Sequence, residues 1–207
     1  MLDLTEIGGF VFDCDGTLLD TLDAWEEAER ELFAQAGPLT EEQEDEIHAA
    51  PIEQACEILH ERYGVGESAA GVLAHLDGHL IPYYGQESSS MPGAVEFVRK
   101  VHDAGIPCVV VSSSPRRYLA AGLRRAGILD CFDELVSTDE AGFSKQEFGI
   151  YETALAVLGC ERERVWAVDD APYAIAVMHE FGFKTICVGK RDSSVADMNP
   201  KSFAELL

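Results

Sequence analysis

Residues 10–21 read Phe10-Val11-Phe12-Asp13-Cys14-Asp15-Gly16-Thr17-Leu18-Leu19-Asp20-Thr21 and change character within a few positions. Ile7 to Phe12 is short, apolar and rich in β-formers, which predicts a buried strand. It runs directly into two aspartates one residue apart. Gly16 permits the sharp turn that this spacing needs. One carboxylate here can attack a phosphoryl group and form an aspartyl-phosphate. A second carboxyl beside it can protonate a leaving oxygen and then activate water. The plain alternative is an acidic turn after a strand.

Three further polar clusters follow apolar runs downstream. Pro107 to Val111 predicts a strand, and Ser112-Ser113-Ser114-Pro115-Arg116 follows it. A hydroxyl at a strand end, just ahead of a helix, is a ready phosphate site. Ser112 is read that way, whereas Ser114 is read as the N-cap of a helix whose first residue is Pro115. Ser144-Lys145 precedes a helix expected over Glu147 to Leu158. The chain has five lysines, and this one falls between the right strands. A lysine there can neutralise a nucleophile and phosphate oxygens. Val165 to Val168 predicts a strand ending in Asp169-Asp170. Adjacent acids at the end of a buried strand are costly unless something cationic joins them, and hard oxygen ligands suit magnesium.

Between and beyond these clusters, strands of four to six residues alternate with helices. That rhythm implies a parallel sheet covered on both faces, with ligands beyond the carboxyl ends of the strands. One segment interrupts it. Leu22 to about Arg62 is helical in pattern, with Trp25, Ala28, Leu32 and Phe33 at helical spacing and a stop at Gly37-Pro38. Further helices are expected from Thr40-Glu41, over Ile52 to Tyr63, and over Ser68 to Tyr84. Gly85 to Ser90 reads as a linker.

The clusters match a known pattern. FVFDCDGTLLDT resembles the first motif of the haloacid dehalogenase-like superfamily, VVVSSSPRR its second, SKQEFGIY its third and VWAVDDAPYAI its fourth. The insertion falls where that family carries an α-helical cap, as in the subgroup of β-phosphoglucomutase and many small-molecule phosphatases. The resemblance implies an α/β fold, a Rossmann-like doubly wound parallel sheet core with an inserted α-helical cap domain. Residues 1–17 and 91–207 would form the core and 18–90 the cap. It also implies residue roles. Asp13 is the nucleophile and a magnesium ligand. Asp15 is the acid/base and binds Mg2+ through its backbone carbonyl. Ser112 and Lys145 hold the phosphate, with Ser113 beside them, and Asp169 and Asp170 complete the metal site. Two departures stand out: Lys145 is followed by Gln146 rather than the family's frequent proline, and Asp169 replaces a common glutamate.

Among reactions of this superfamily, dehalogenation is disfavoured because Asp15 is present. A Schiff-base phosphonatase is disfavoured because the first lysine, Lys100, lies beyond the insertion. A β-phosphoglucomutase-type mutase needs a cap cation for a second phosphate. The matching stretch, Ala49 to Gln54, has none, although Arg116 could serve from the core side. A non-catalytic binding protein on the same fold is the remote alternative, since all motif acids are intact. A phosphatase acting on a small phosphorylated metabolite is the expectation, with Glu53 and Gln54 preferred as specificity contacts. Trp25, His48, Tyr83 and Tyr84 are also weighed for that role, each with a packing or surface explanation.

Composition agrees. The formal charge is −23, which would repel a nucleic-acid backbone or an anionic membrane. Between Asp20 and Glu67 the only lysine or arginine residues are Arg30 and Arg62. No stretch approaches the roughly 20 apolar residues of a membrane span. The six cysteines show no paired spacing. They fit a reduced, cytoplasmic protein without a signal peptide, a monomer or weak dimer.

Overall fold

The computed structural model describes residues 2–207. Its centre is a five-stranded parallel sheet. Strand β1 (Gly9–Phe12) lies in the middle, flanked by β4 (Cys108–Ser112) and β6 (Val165–Asp169). Strands β5 (Glu134–Ser137) and β7 (Lys184–Cys187) form the edges, giving the order β5-β4-β1-β6-β7. The register pairs Phe10 with Cys108 and Phe12 with Val168. All four motif clusters therefore leave the sheet at the same end. The crossover of chain direction between β1's two neighbours places β1 at the switch point, where open α/β sheets bind ligands.

Alternation along the strands feeds two apolar layers. Phe10, Phe12 and Val110 point to one face, where α5 (Ala94–Asp103) and α6 (Arg116–Ala126) pack. Val11, Val109 and Val111 point to the other, under α8 (Phe148–Leu158) and α9 (Pro172–Phe181). Helix α5 buries Ala94, Phe97, Val98 and Val101, the inner face its sequence spacing predicts. Phe97 stands edge-on to Phe10 and Phe12, with ring centroids 5.7 and 6.3 Å apart. Each such fully buried ring contributes about 1.5–3 kcal/mol through removal from water.

The insertion is helical, as expected. It holds α1 (Leu22–Ala36), α2 (Glu41–Ala49), α3 (Ile52–Tyr63) and α4 (Ala69–Pro82). Helix α2 begins with a reciprocal capping box between Thr40 and Gln43. The chain enters and leaves this unit through an antiparallel ribbon of β2 (Leu19–Asp20) and β3 (Ser89–Ser90), with Leu19 opposite Ser90. The stretch expected as a linker is in fact ordered. Residues Tyr83–Glu87 form a π-helical turn and Ser89–Ser90 pair in the ribbon. Gly85 and the serines carry a local loop signature, but their β partner lies some 70 positions earlier. Helix α6 abuts the turn closely: a Cβ on Gly122 would fall 3.0 Å from the Tyr84 ring and 2.5 Å from Leu19.

The cap is docked on the core by polar contacts. The Ile52 amide donates to Asp139 Oδ1 at 2.8 Å. Asp77 of α4 accepts from Arg117 at 2.6 Å and from the Tyr118 hydroxyl at 2.6 Å. No helix among the described residues is long and apolar enough to cross a membrane.

Candidate active site

Asp13 extends β1 by one residue, its amide donating to the Val168 carbonyl at 2.9 Å. The Lys145 ammonium donates to Asp13 Oδ1 at 2.6 Å and to Asp169 Oδ2 at 2.7 Å. All three side chains are buried. The Tyr151 hydroxyl anchors the lysine's own backbone by donating to its carbonyl at 2.7 Å. Burial alone would lower the lysine's pKa, but Asp13 and Asp169 outweigh it and hold the ammonium well above the ordinary lysine range.

Asp170 sits at the outer edge of this group. Its amide donates to Thr17 Oγ1 at 3.0 Å, and Arg191 donates to its Oδ2 at 3.0 Å. Asp169 Oδ1 accepts from the Ala171 amide at 2.8 Å. Burial is the main force raising both acids, opposed chiefly by Lys145 at Asp169 and reinforced by Asp13's charge at Asp170. Oxygens of Asp13, Asp169 and Asp170 lie within 4.8 Å of one another. A cluster of hard oxygen donors with surplus negative charge suits a divalent cation such as magnesium.

Asp15 has different company. Gly16, at φ +80°, turns the chain back so that the Asp15 carboxylate points toward the ribbon. Oδ1 accepts from Thr21 at 2.6 Å and from the Tyr84 hydroxyl; Oδ2 accepts from Ser114 at 2.6 Å and Ser112 at 3.5 Å. Trp25 Nε1 in turn donates to the Tyr84 hydroxyl at 2.8 Å. No cation touches this carboxylate among the described residues. Burial first, and Asp13's charge second, raise its pKa, while the hydroxyls pull the other way. Cys14, between the two aspartates, is fully buried, and burial followed by the charges of Asp15 and Asp13 pushes its thiol well above the usual range.

The structure thus brings Asp13, Asp15, Ser112, Lys145, Asp169 and Asp170 together. Ser113 stands at the edge of the group, half-buried, its carbonyl accepting from Thr138 at 3.3 Å. It does not bring Arg116, Glu53 or Gln54 there. The Arg116 guanidinium faces outward to Glu140 at 2.7 Å and Glu134 at 2.6 Å. Helix α3 turns Ile52, Ala55, Cys56 and Leu59 inward, which leaves Glu53 and Gln54 on its exposed side. Glu53 borders a surface groove with Arg116 and Arg117 instead. Ser114 is not the N-cap of α6, a position held by Pro115; its hydroxyl goes to the Asp15 carboxylate, a charged and therefore stronger acceptor. Thr17 and Thr21, which lie in the first motif without a role assigned from sequence, Tyr84, weighed there only as a substrate contact, and Arg191, which carries no sequence signal beyond its charge, join the site.

The family model of the haloacid dehalogenase-like hydrolases matches residues 7–182, and the chain belongs to that family. Several relatives are named phosphatases, two of them as follows. Validoxylamine A 7'-phosphate phosphatase of Streptomyces hygroscopicus subsp. limoneus is 27% identical over 180 residues, 86% of this chain and 83% of the relative. Hexitol phosphatase A of Escherichia coli is 29% identical over 169 residues, 81% and 76% of the two chains. In fold, the chain resembles β-phosphoglucomutase from Clostridium difficile, with a TM-score of 0.80 at 18% identity, covering 97% of this chain and 93% of that one.

Proposed function

We propose that this hydrolase is a magnesium-dependent phosphatase that removes phosphate from a small phosphomonoester, a sugar phosphate or similar metabolite, in the cytoplasm. The observation that carries the reading is the contrast between two aspartates one residue apart. Asp13 is paired with the Lys145 ammonium, and among the described residues the side chains that hydrogen-bond Asp15 are all hydroxyls. The first arrangement fixes a carboxylate oxygen by a charged hydrogen bond at the rim, where it can attack. The second favours a carboxyl that can carry a proton.

Asp13 attacks phosphorus, forming an acyl phosphate as the bond to the leaving oxygen breaks. Asp15 gives its proton to that oxygen. Lys145 and the Ser112 hydroxyl hold the phosphoryl oxygens in line. Asp15 then takes a proton from water, whose oxygen attacks phosphorus and frees Asp13. Asp13, Asp169 and Asp170, with the Asp15 carbonyl, would hold Mg2+, which when bound offsets charge on the phosphoryl oxygens.

The names of the two phosphatase relatives support hydrolysis. The fold likeness to a mutase carries no activity. Retaining a bisphosphate takes a second anion site, and no lysine or arginine is among the described residues lining the cap cavity.

The test is phosphate release from a panel of phosphomonoesters with and without magnesium, including β-glucose 1-phosphate with its bisphosphate activator. Magnesium-dependent release is expected, falling by about 10⁴-fold in Asp13→Asn because an amide is a poor nucleophile. Glucose 6-phosphate formed with little free phosphate would replace the reading by a mutase, and wild-type turnover in Asp13→Asn would remove Asp13 from its role.

A further inference from the structure

The cap encloses a cavity of about 310 Å³ beside the sheet rim, at the small end of ligand sites. Ser114 stands in its wall and donates to Asp15 Oδ2 at 2.6 Å. The cavity therefore abuts the group that hands a proton to the departing oxygen. It is the space next to Asp15 into which a leaving group could extend.

Its walls are mostly hydrocarbon. Leu22 and Trp25 of α1, Ile52, Cys56 and Leu59 of α3 and Leu76 of α4 form most of the surface. The charged or imidazole side chains in the lining are Glu26 and Glu29 of α1 and His48 of α2. Among the described lining residues there is no lysine, arginine, asparagine or glutamine. Glu29 is mostly withdrawn from solvent, with 16% of its side chain exposed, and its Oε2 lies 3.3 Å from His48 Nε2.

Such walls treat leaving groups unequally. A polyhydroxylated chain gives up water at each hydroxyl and meets few partners, so most of its polar atoms would be buried unpaired. A second anion would be repelled by the mostly buried Glu29 carboxylate, with the exposed Glu26 adding a weaker, solvent-screened contribution. A hydrocarbon body covers the apolar walls, and an ammonium at its far end offsets the charge of Glu29 and Glu26.

We infer that the leaving group is an amphipathic alcohol, a compact hydrocarbon body ending in an amine, with Glu29 as the residue that selects the amine. This rests on the phosphatase reading above and narrows it. It also separates this chain from a hexitol phosphatase: the sheet rim is shared chemistry, whereas the cavity wall sets the substrate.

The experiment compares kcat/KM, with magnesium and the full chain, for 4-(aminomethyl)benzyl phosphate, its isostere 4-(hydroxymethyl)benzyl phosphate, and glucitol 6-phosphate, with p-nitrophenyl phosphate as the reference for chemistry. The amine is expected to exceed the hydroxyl compound by about 10-fold and glucitol 6-phosphate by about 100-fold. Glu29→Gln should reduce the amine-to-hydroxyl ratio by about 10-fold. A Glu29–His48 contact that only pins α1 to α2 would lower both substrates alike and leave that ratio unmoved, which would overturn the assignment of Glu29. If Glu29→Gln does not fold, inhibition of the wild-type protein by the two product alcohols decides instead, the amine binding about 10-fold tighter. Glucitol 6-phosphate matching or surpassing the amine overturns the inference and leaves the phosphatase reading standing. Magnesium-dependent release from none of the probes, p-nitrophenyl phosphate included, overturns both.

Discussion

The core side of the site and its cap side are held by different forces. On the core side, acids from the ends of β1 and β6 are buried against a lysine from the loop ahead of α8, and each acid is fixed within a residue or two of a β-strand. On the cap side, apolar faces of helices surround a cavity with a few acids at one edge. Between them, where the chain crosses from one to the other, Asp15 is gripped by Thr21, Tyr84 and Ser114. The difference teaches where each property of the protein resides. In the proposed reading, chemistry belongs to the rim, substrate choice to the cap, and the acid/base to the seam between them.

The largest effect should come from the rim. Lys145→Ala removes the only cation touching Asp13 among the described contacts. Phosphate release should fall by about 10²–10³-fold. The two buried carboxylates left behind should cost about 3–5 kcal/mol of stability in magnesium-free denaturant unfolding. A small loss in both assays would mean that the rim is not held by this ion pair.

The seam is tested next. Tyr84→Phe keeps the packed ring and removes the hydroxyl that Asp15 shares with Trp25. Turnover of an alkyl phosphate, whose oxygen needs a proton to leave, should fall at least about 10-fold more than turnover of p-nitrophenyl phosphate, whose anion leaves unaided. Equal losses would reduce Tyr84 to a structural part.

Magnesium sharpens the contrast by its dependence on pH. In the metal-free chain Asp169 is raised to about 7, burial being the largest cause, with Lys145 opposing and Asp13 and Asp170 adding. The folded state therefore binds a proton more tightly than the unfolded chain does. That contribution to stability is present below about pH 4 and is lost as pH rises through about 7. A cation bound by the folded chain replaces the proton, so the magnesium-induced rise in Tm should be larger at about pH 7.5 than at about pH 5.5. A rise independent of pH would place the ion away from Asp169.

The smallest effect belongs outside both regions. Arg116 makes two partly exposed ion pairs, with Glu134 and Glu140. Arg116→Ala should change stability by less than about 1 kcal/mol and kcat/KM by less than about 2-fold. A large rise in KM would return Arg116 to the substrate.

The acids of the rim were legible in the chain because Asp13 and the Asp169-Asp170 pair follow apolar runs that end as strands; Lys145, in the loop ahead of α8, carries little local signal and is picked out by its position between strands and by the motif resemblance. The seam was not. Tyr84 meets an acid 69 positions away, and its neighbours Pro82 and Gly85 carry the punctuation of a linker. Ser114 looks like a helix cap because it precedes Pro115, and only the fold shows a carboxylate within its reach. In the cap, the inward stripe of α3 could be read, yet which side of the helix bundle meets the site depends on how the helices pack. Glu53 and Gln54 therefore look outward, while Trp25, Glu29 and His48 line the cavity.

Cys14 carries a last consequence. It lies between the two aspartates to which the proposed mechanism gives the nucleophile and the acid/base, where sulfur chemistry would disable that mechanism. Oxidants and alkylating agents react with thiolate that they can reach. Cys14 is fully enclosed and its thiol is held protonated by its surroundings. The residues most open to such attack are Cys131 and Cys160, half-buried and remote from the rim. Oxidative damage to this protein would therefore mark its periphery long before it silenced turnover.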